Sequence, residues 1–250
     1  MVATLLLLIE ARWPLKPHER DSKRIQTNLI LFVLGLLSLE FIVPVCFKKI
    51  FGLIGPIGPT LFEVMPIGAI EKVVLGVLIF DFKNYAFHRL LHKFNVSWRF
   101  HQVHHSDKAV DVFTTHRFHP VELIFGFIPG LIPVLLGVPL YSIQVIGVIA
   151  LPWVLFQHSN IDIPYSLEKR MRYVFLTPNL HKLHHSKDPK QVNHNFGVIF
   201  SFWDRFFGTL LSEEEQDKHE ISYGVAGFTD GDQTKSLYVL LKKPFARTST

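Results

Sequence analysis

LIFGFIPGLIPVLLGVPLYSIQVIGVIALPWVLFQ, residues 123–157, contains no Asp, Glu, Lys, Arg or His. One bilayer crossing takes about 20 residues, so the run is long enough to cross twice if it folds back. Gly137-Val138-Pro139 at its middle supplies the turn. Buried helices of soluble proteins rarely stay uncharged for so long. The stretch therefore predicts a transmembrane hairpin whose two ends lie on one side of the membrane, where the flanking segments meet.

Those flanking segments are rich in histidine. HRLLH (88–92) and HQVHHSD (101–107) precede the run, His158 follows it directly, and HKLHHSKD (181–188) comes next. Histidine makes up 14 of 250 residues, so His-x-x-His-His is expected by chance only about 0.04 times in such a chain. It occurs twice. On a helix, positions i, i+3 and i+4 share a face, so each copy offers three imidazoles to one point. His88 and His92, four apart, do the same with two.

His88, His92, His101, His104, His105, His181, His184 and His185 together exceed what one tetrahedral or octahedral ion takes, which predicts two metal ions. His158 is a ninth candidate, because an ionisable side chain at the end of a span is costly without a partner. His119, in RFHPVE, sits where Pro120 and Glu122 mark a helix start; it is a candidate ligand or a residue behind one. His116 and His194 read as ordinary histidines, as do His18 and His219 in their polar surroundings.

Neutral imidazole suits iron, zinc and copper alike. There is no Glu-x-x-His pair, no HExxH and no CxxC, and Cys46 is the single cysteine. Carboxylate-bridged sites, the usual zinc-protease signature and thiolate zinc sites are thereby excluded. Neutral ligands leave the metal charge uncompensated, so carboxylates are expected behind them, orienting the ring N–H groups. Asp81, Tyr85, His88 and His92 fall on one helical stripe, while Asp107, Glu122, Asp162 and Asp188 follow or flank the other histidines. From the residues alone three functions stay open. They are a lipid mono-oxygenase or desaturase, a dinuclear zinc lipid hydrolase, and a non-enzymatic membrane metal-binding protein.

The rest of the chain fits a membrane setting. Apolar residues make up 48% of it. Asn28–Phe47, interrupted only by Glu40, is a third candidate span, and Pro66–Phe80, with Glu71 and Lys72, a weaker fourth. The expected fold is all-α, with about four transmembrane helices and a cytosolic helical cap carrying the histidines. MVATLLLLIE at the start is too short to cross and lacks a basic leader, and reads as the end of a longer first span. GLIGPIGPT (52–60) is a breaker link. Residues 1–250 form one domain with a core over about 27–210, and 211–250 read as a polar, solvated tail. The net charge of +5 needs no nucleic acid. Arg20, Lys23 and Arg24, Lys93 and Arg99, and Lys169, Arg170 and Arg172 gather beside the histidines, which the positive-inside rule puts in the cytoplasm. Lys48 and Lys49 fall on the opposite side.

DFKNYAFHRLLH, WRFHQVHHSD, RFHPVE, QHSNIDIP, TPNLHKLHHS, NHNFG and WDRFFGT, in this order over about residues 10–210, resemble the sterol desaturase / fatty acid hydroxylase superfamily, most closely its bacterial members. The resemblance implies an oxidoreductase of the bacterial inner membrane with two iron ions (Fe2+/Fe3+) at the cytoplasmic face. It implies use of dioxygen and external electrons to hydroxylate or desaturate a C–H position of a sterol, fatty acyl or related lipid. Carried over by position, the eight box histidines are the ligands; His158 matches the histidine after the hairpin and His119 the His-Pro-x-Glu element. No flavin, haem or ferredoxin motif is present, so a separate reductase or ferredoxin-like donor is expected, with Lys93, Arg99, Lys169 and Arg170 as its docking charges.

Overall fold

Helix ends in this chain fall where glycine, proline and capping side chains put them. The computed structural model describes residues 1–16, 20–54, 58–211, 221–228 and 233–246. Its α-helices are α1 (Val2–Arg12), α2 (Ser22–Ile54), α3 (Leu61–Val64), α4 (Ala69–Lys93), α5 (Asn95–His105) and α6 (Pro120–Leu136). They continue with α7 (Leu140–His158), α8 (Tyr165–Met171), α9 (Pro178–His184), α10 (Pro189–Val192), α11 (Phe202–Phe206) and α12 (Leu237–Lys242). Among the described residues there is no strand, only three isolated bridges.

Pro120 opens α6 at a position where a missing N–H costs nothing. The helix ends at Gly137, whose φ of 74° is left-handed, and any Cβ there would also collide with the Thr60 side chain. The uncharged run thus folds into the α6–α7 pair, turning at the expected glycine. α2 packs along α6, and α4 packs against α5, α6 and α7.

Two helices are long and apolar enough to cross a membrane: Ser22–Ile50 within α2, and Leu140–His158. α6 is a shorter apolar helix of 17 residues. α4, expected to span over Pro66–Phe80, starts at Ala69 and carries Asp81, Lys83 and Arg89 in its later turns. Leu29, Val33, Leu37, Phe41 and Val45 step along α2 every fourth residue and are 41–71% exposed. Ile128 and Leu135 on α6 and Leu140, Val148 and Leu151 on α7 extend this apolar surface. Surfaces of that kind face lipid or a partner rather than water.

At 33 residues, α2 is about 50 Å long, well beyond the hydrocarbon thickness of about 30 Å. Its first turns leave the apolar belt and enter a polar cap. Asn28, taken from the sequence as the start of a span, is fully buried in that cap. There Arg24 donates to Asp107 (2.9 Å), Asp111 and the Ala109 carbonyl, and Asn28 donates to Asp107 (3.0 Å). Fully buried Arg117 reaches the Val103 and Thr234 carbonyls, Asn28 Oδ1 and Ser106 Oγ, all at 2.7–2.8 Å. Two guanidinium groups and two carboxylates thus share one buried network, which ties the head of α2 to the loop after α5.

Both ends of the chain are built into the same cap. α1 packs Leu6 against Val112, Leu155, Ile161 and Ile163. Its Glu10 accepts the backbone N–H of Val112 (3.0 Å) and Asn160 (2.7 Å), and burial raises its pKa above the usual carboxylate range. The tail, read from composition as solvated, docks wherever it is described. Phe228 and Leu240 are buried with Leu31 and Val103, and Thr27 donates to the Lys235 carbonyl at 2.8 Å. The apolar residues of LYVLLKKPF outweigh the surrounding charges in deciding where the segment lies.

Arg24→Met leaves Asp107 and Asp111 without their cation. Removing one member of a buried ion network costs roughly 3–5 kcal/mol, which for a chain of this size lowers the melting temperature by on the order of 10 °C. Thermal unfolding in detergent should show that drop, and Asp107→Asn/Asp111→Asn in the Arg24→Met background should recover part of it.

Candidate metal centre

The histidines come from three helices that run to their ends at the cap, together with α5 behind them. α4 ends with His88 and His92, α5 with His101, His104 and His105, α7 with His158, and α9 with His181 and His184, capped by His185. Their ring nitrogens form two groups, each with its ligand atoms within 4.8 Å of one another. One holds His88, His92, His101, His105 and His184; the other holds His104, His158, His181 and His185.

The two His-x-x-His-His copies are used reciprocally. His101 and His105, four residues apart, serve the first group while His104 turns to the second. His181 and His185 serve the second while His184 turns to the first. Each copy therefore gives two imidazoles to one group and one to the other. α4 adds two more to the first group, and α7 adds one to the second. At the position on α7 matching α4's extra histidine, four residues before His158, stands Val154.

Hydrogen bonds behind the rings fix which nitrogen faces inward. Nδ1 of His88 donates to the Phe196 carbonyl (3.0 Å), His104 to Arg117 (3.2 Å), His158 to Val154 (2.8 Å) and His184 to His194 (2.8 Å). His101 Nδ1 donates to Glu122 Oε1 at 2.8 Å. In a neutral imidazole that leaves Nε2 without a proton. Bare Nε2 atoms then face one another in His88–His184 at 2.9 Å and His104–His158 at 3.2 Å, while His101–His105 (3.1 Å), His158–His181 (2.9 Å) and His181–His185 (3.2 Å) bring in rings whose Nδ1 has no partner. Two facing lone pairs make no hydrogen bond. Two metal–nitrogen bonds of about 2.0–2.1 Å at right angles place their donors about 3 Å apart, so the spacing fits a cation in each group. Burial, reinforced by neighbouring imidazoles, holds the pKa of His104, His105, His181, His184 and His185 well below the ordinary histidine range. They stay neutral and able to bind metal at physiological pH.

The other sequence candidates stand elsewhere. His119 lies outside both groups: its Nδ1 accepts the Val121 N–H (3.1 Å), capping α6, and its Nε2 meets the Leu241 carbonyl (3.2 Å). Of the six residues expected behind the ligands, Glu122 touches one, and Asp107 is taken up by Arg24 and Asn28. Asp81 accepts the N–H groups of Ile199 and Phe200 and the Trp203 indole N–H, and Tyr85 bonds Thr209 at 2.8 Å. Asp188 caps α10, and Asp162 is exposed. His116 packs on Phe32, while His194 contributes its carbonyl. His18 and His219 fall outside the described residues.

What the sequence reading missed is mostly backbone. Four of the five groups that accept an imidazole N–H are carbonyls, which no residue type announces. The loop offering the Phe196 carbonyl is held by Asp204, which accepts the N–H of Phe196 (2.7 Å) and Gly197 (2.8 Å) and the Thr209 hydroxyl (2.7 Å). Burial raises the Asp204 pKa to about 7. Asn195 precedes this loop in a left-handed conformation, φ 58°. NHNFG and WDRFFGT were its only visible traces.

A cavity of about 450 Å³ leads from the imidazoles into the apolar belt. His88, His101, His104, His158 and His181 line one end; Leu39 and Val43 of α2, Phe87 of α4 and Phe127 of α6 line the rest.

Comparison with known proteins agrees with this arrangement. The fatty acid hydroxylase family model matches residues 73–209, a segment that contains all nine grouped histidines. Ornithine lipid hydroxylase OlsE of Rhizobium tropici is 36% identical over 180 residues, 70% of this chain and 51% of that protein. Human alkylglycerol monooxygenase is 27% identical over 157 residues, 62% of this chain and 33% of that protein. Cholesterol 25-hydroxylase-like protein 1, member 2, of Danio rerio is 32% identical over 156 residues, 60% of this chain and 52% of that protein. The chain thus matches about half the length of two of these relatives and a third of the other. No solved structure matches. The resemblance carried by the seven sequence pieces holds: the chain belongs to the fatty acid hydroxylase family of oxidoreductases.

Proposed function

We propose that this chain is a membrane-embedded lipid oxygenase. It hydroxylates or desaturates a C–H position of a lipid with dioxygen and two electrons from a separate ferredoxin-like protein or reductase. In hydroxylation, one oxygen atom enters the C–H bond, and the other leaves as water with the two electrons and two protons. The observation that carries this reading is two groups of convergent, buried imidazoles at the end of an apolar cavity. Iron in both groups would supply dioxygen activation. Five imidazoles in one group exceed the four of a tetrahedral zinc site and suit a six-coordinate ion with a position left open.

The protein's own part is positioning. Carbonyls and Glu122 hold five of the nine rings in one tautomer, burial keeps the imidazoles neutral, and the cavity takes an apolar chain. Relatives named ornithine lipid hydroxylase, alkylglycerol monooxygenase and cholesterol 25-hydroxylase-like protein support a lipid substrate. We place the histidine end at the cytoplasmic face of a bacterial inner membrane, with α2, the first half of α4, α6 and α7 crossing it. Lys93, Lys169 and Arg170 are exposed at that end for an acidic donor. Arg99 is tied to the Ala246 carbonyl.

His104→Ala and His184→Ala remove one ligand from different groups. Each should cut iron content, measured by mass spectrometry of the purified protein, to half or less and abolish turnover; full activity in either variant would contradict the site. In cells making the protein, lipid analysis should show species heavier by one oxygen or lighter by two hydrogens. They should vanish without dioxygen, whereas a hydrolase would continue.

A further inference from the structure

The cavity holds two buried acceptors with nothing to accept. Gln157 is 3% exposed and Glu122 4% exposed, and both line the cavity. Gln157 Oε1 and Glu122 Oε2 are buried without a hydrogen-bond partner. The other oxygen of Glu122 is committed to His101, in the five-histidine group, and Gln157 directly precedes His158, in the four-histidine group. One idle acceptor therefore stands beside each imidazole group. A third polar residue of the lining, Asn84, already accepts from Lys83 at 2.9 Å.

Buried acceptors are costly when left unpaired. A plain hydrocarbon packed against this end would leave both oxygens unpaired. A ligand carrying a donor would satisfy them. Ions held by the neutral imidazoles would give this end more positive charge than the single Glu122 carboxylate offsets, which disfavours a protonated amine. A hydroxyl or an amide N–H meets the requirement without that repulsion.

We infer that Gln157, with Glu122, is a specificity-determining residue that selects a lipid bearing a neutral hydrogen-bond donor within a few bonds of the carbon attacked. The donor lies at the imidazole end and the apolar remainder runs toward Leu39 and Val43. Oxidation then falls beside a polar group of the lipid and not in the middle of a bare chain. This rests on the lipid-oxygenase reading and narrows it to a class of substrate.

The test is equilibrium binding of radiolabelled dodecan-1-ol and its methyl ether, 1-methoxydodecane, to the iron-loaded full chain in nanodiscs. It is done without dioxygen and corrected with protein-free nanodiscs. The two probes differ by the donor, and their partition into lipid cancels when variants are compared. The wild type should hold the alcohol about tenfold more tightly, the worth of one good hydrogen bond. Gln157→Met, similar in volume, should bring the ratio close to one while iron content and melting temperature stay unchanged. Gln157→Glu, which keeps an acceptor, should retain the preference, and it provides the test if the methionine variant fails to fold.

An equal ratio in the wild type, an unchanged ratio in Gln157→Met, loss of preference in Gln157→Glu, or no saturable binding of either probe would overturn the inference. Oxidised lipid in cells without this preference sinks the inference alone. The preference without any oxidised lipid sinks the oxygenase reading instead.

Discussion

Facing lone pairs govern this molecule. In His88–His184 and His104–His158 the buried Nε2 atoms lie about 3 Å apart with both protons committed outward, and they repel one another unless a cation lies between them. The surrounding structure makes that arrangement hold. The carbonyls of Val154, Phe196, Arg117 and His194 come from three different segments, and each must be in place for its imidazole to point inward. The buried Arg24–Asp107–Asp111 network and Arg117 lock the loop after α5. Asp204 and Asn195 lock the loop after α10. Stability of the cap and geometry of the centre are one problem, because the residues that satisfy buried backbone are also those that aim the ligands.

The same logic explains why a polar centre sits against apolar helices. α2 is long enough to be two things in sequence, a lipid-facing rod over most of its length and a buried polar strut over its first turns. The cavity follows the boundary between these regimes. Its walls are Leu, Val and Phe where the helices are bare and imidazole, carboxylate and amide where the cap closes. A water-insoluble molecule can reach the histidines without leaving the apolar phase, and this is what the oxygenase reading requires.

Much of this was legible in the sequence. The uncharged run with Gly137 at its centre marked the α6–α7 turn, and His-x-x-His-His marked histidines that converge, but each copy divides its three imidazoles two and one between the groups instead of aiming them at one point. Harder to see was how the faces are shared between groups, since periodicity fixes directions on one helix and says nothing of its partner. His119 illustrates the limit: its motif marks a helix start, and the imidazole caps that helix and meets Leu241 instead of joining the others. Asp81 and Tyr85 share the histidine stripe on α4, yet one turn of helix rise is enough to hand them to the Ile199–Trp203 segment and Thr209. The C-terminal segment was misjudged because charge density dominates its composition, while a few apolar residues, Phe228 and Leu240 among them, decide where it packs. Glu10 and Lys182, both buried, gave no sign of their burial.

The cross-sharing of ligands between the two histidine copies has a consequence for assembly. α5 and the α9 segment each bridge both groups, while α4 serves the first alone and α7 the second alone. An ion seated in one group would therefore pin two of the three elements that the other draws on, so a second ion would meet a partly prepared site that costs less to order. Loading of two ions would then be cooperative, and a half-filled protein a scarce species rather than a resting state.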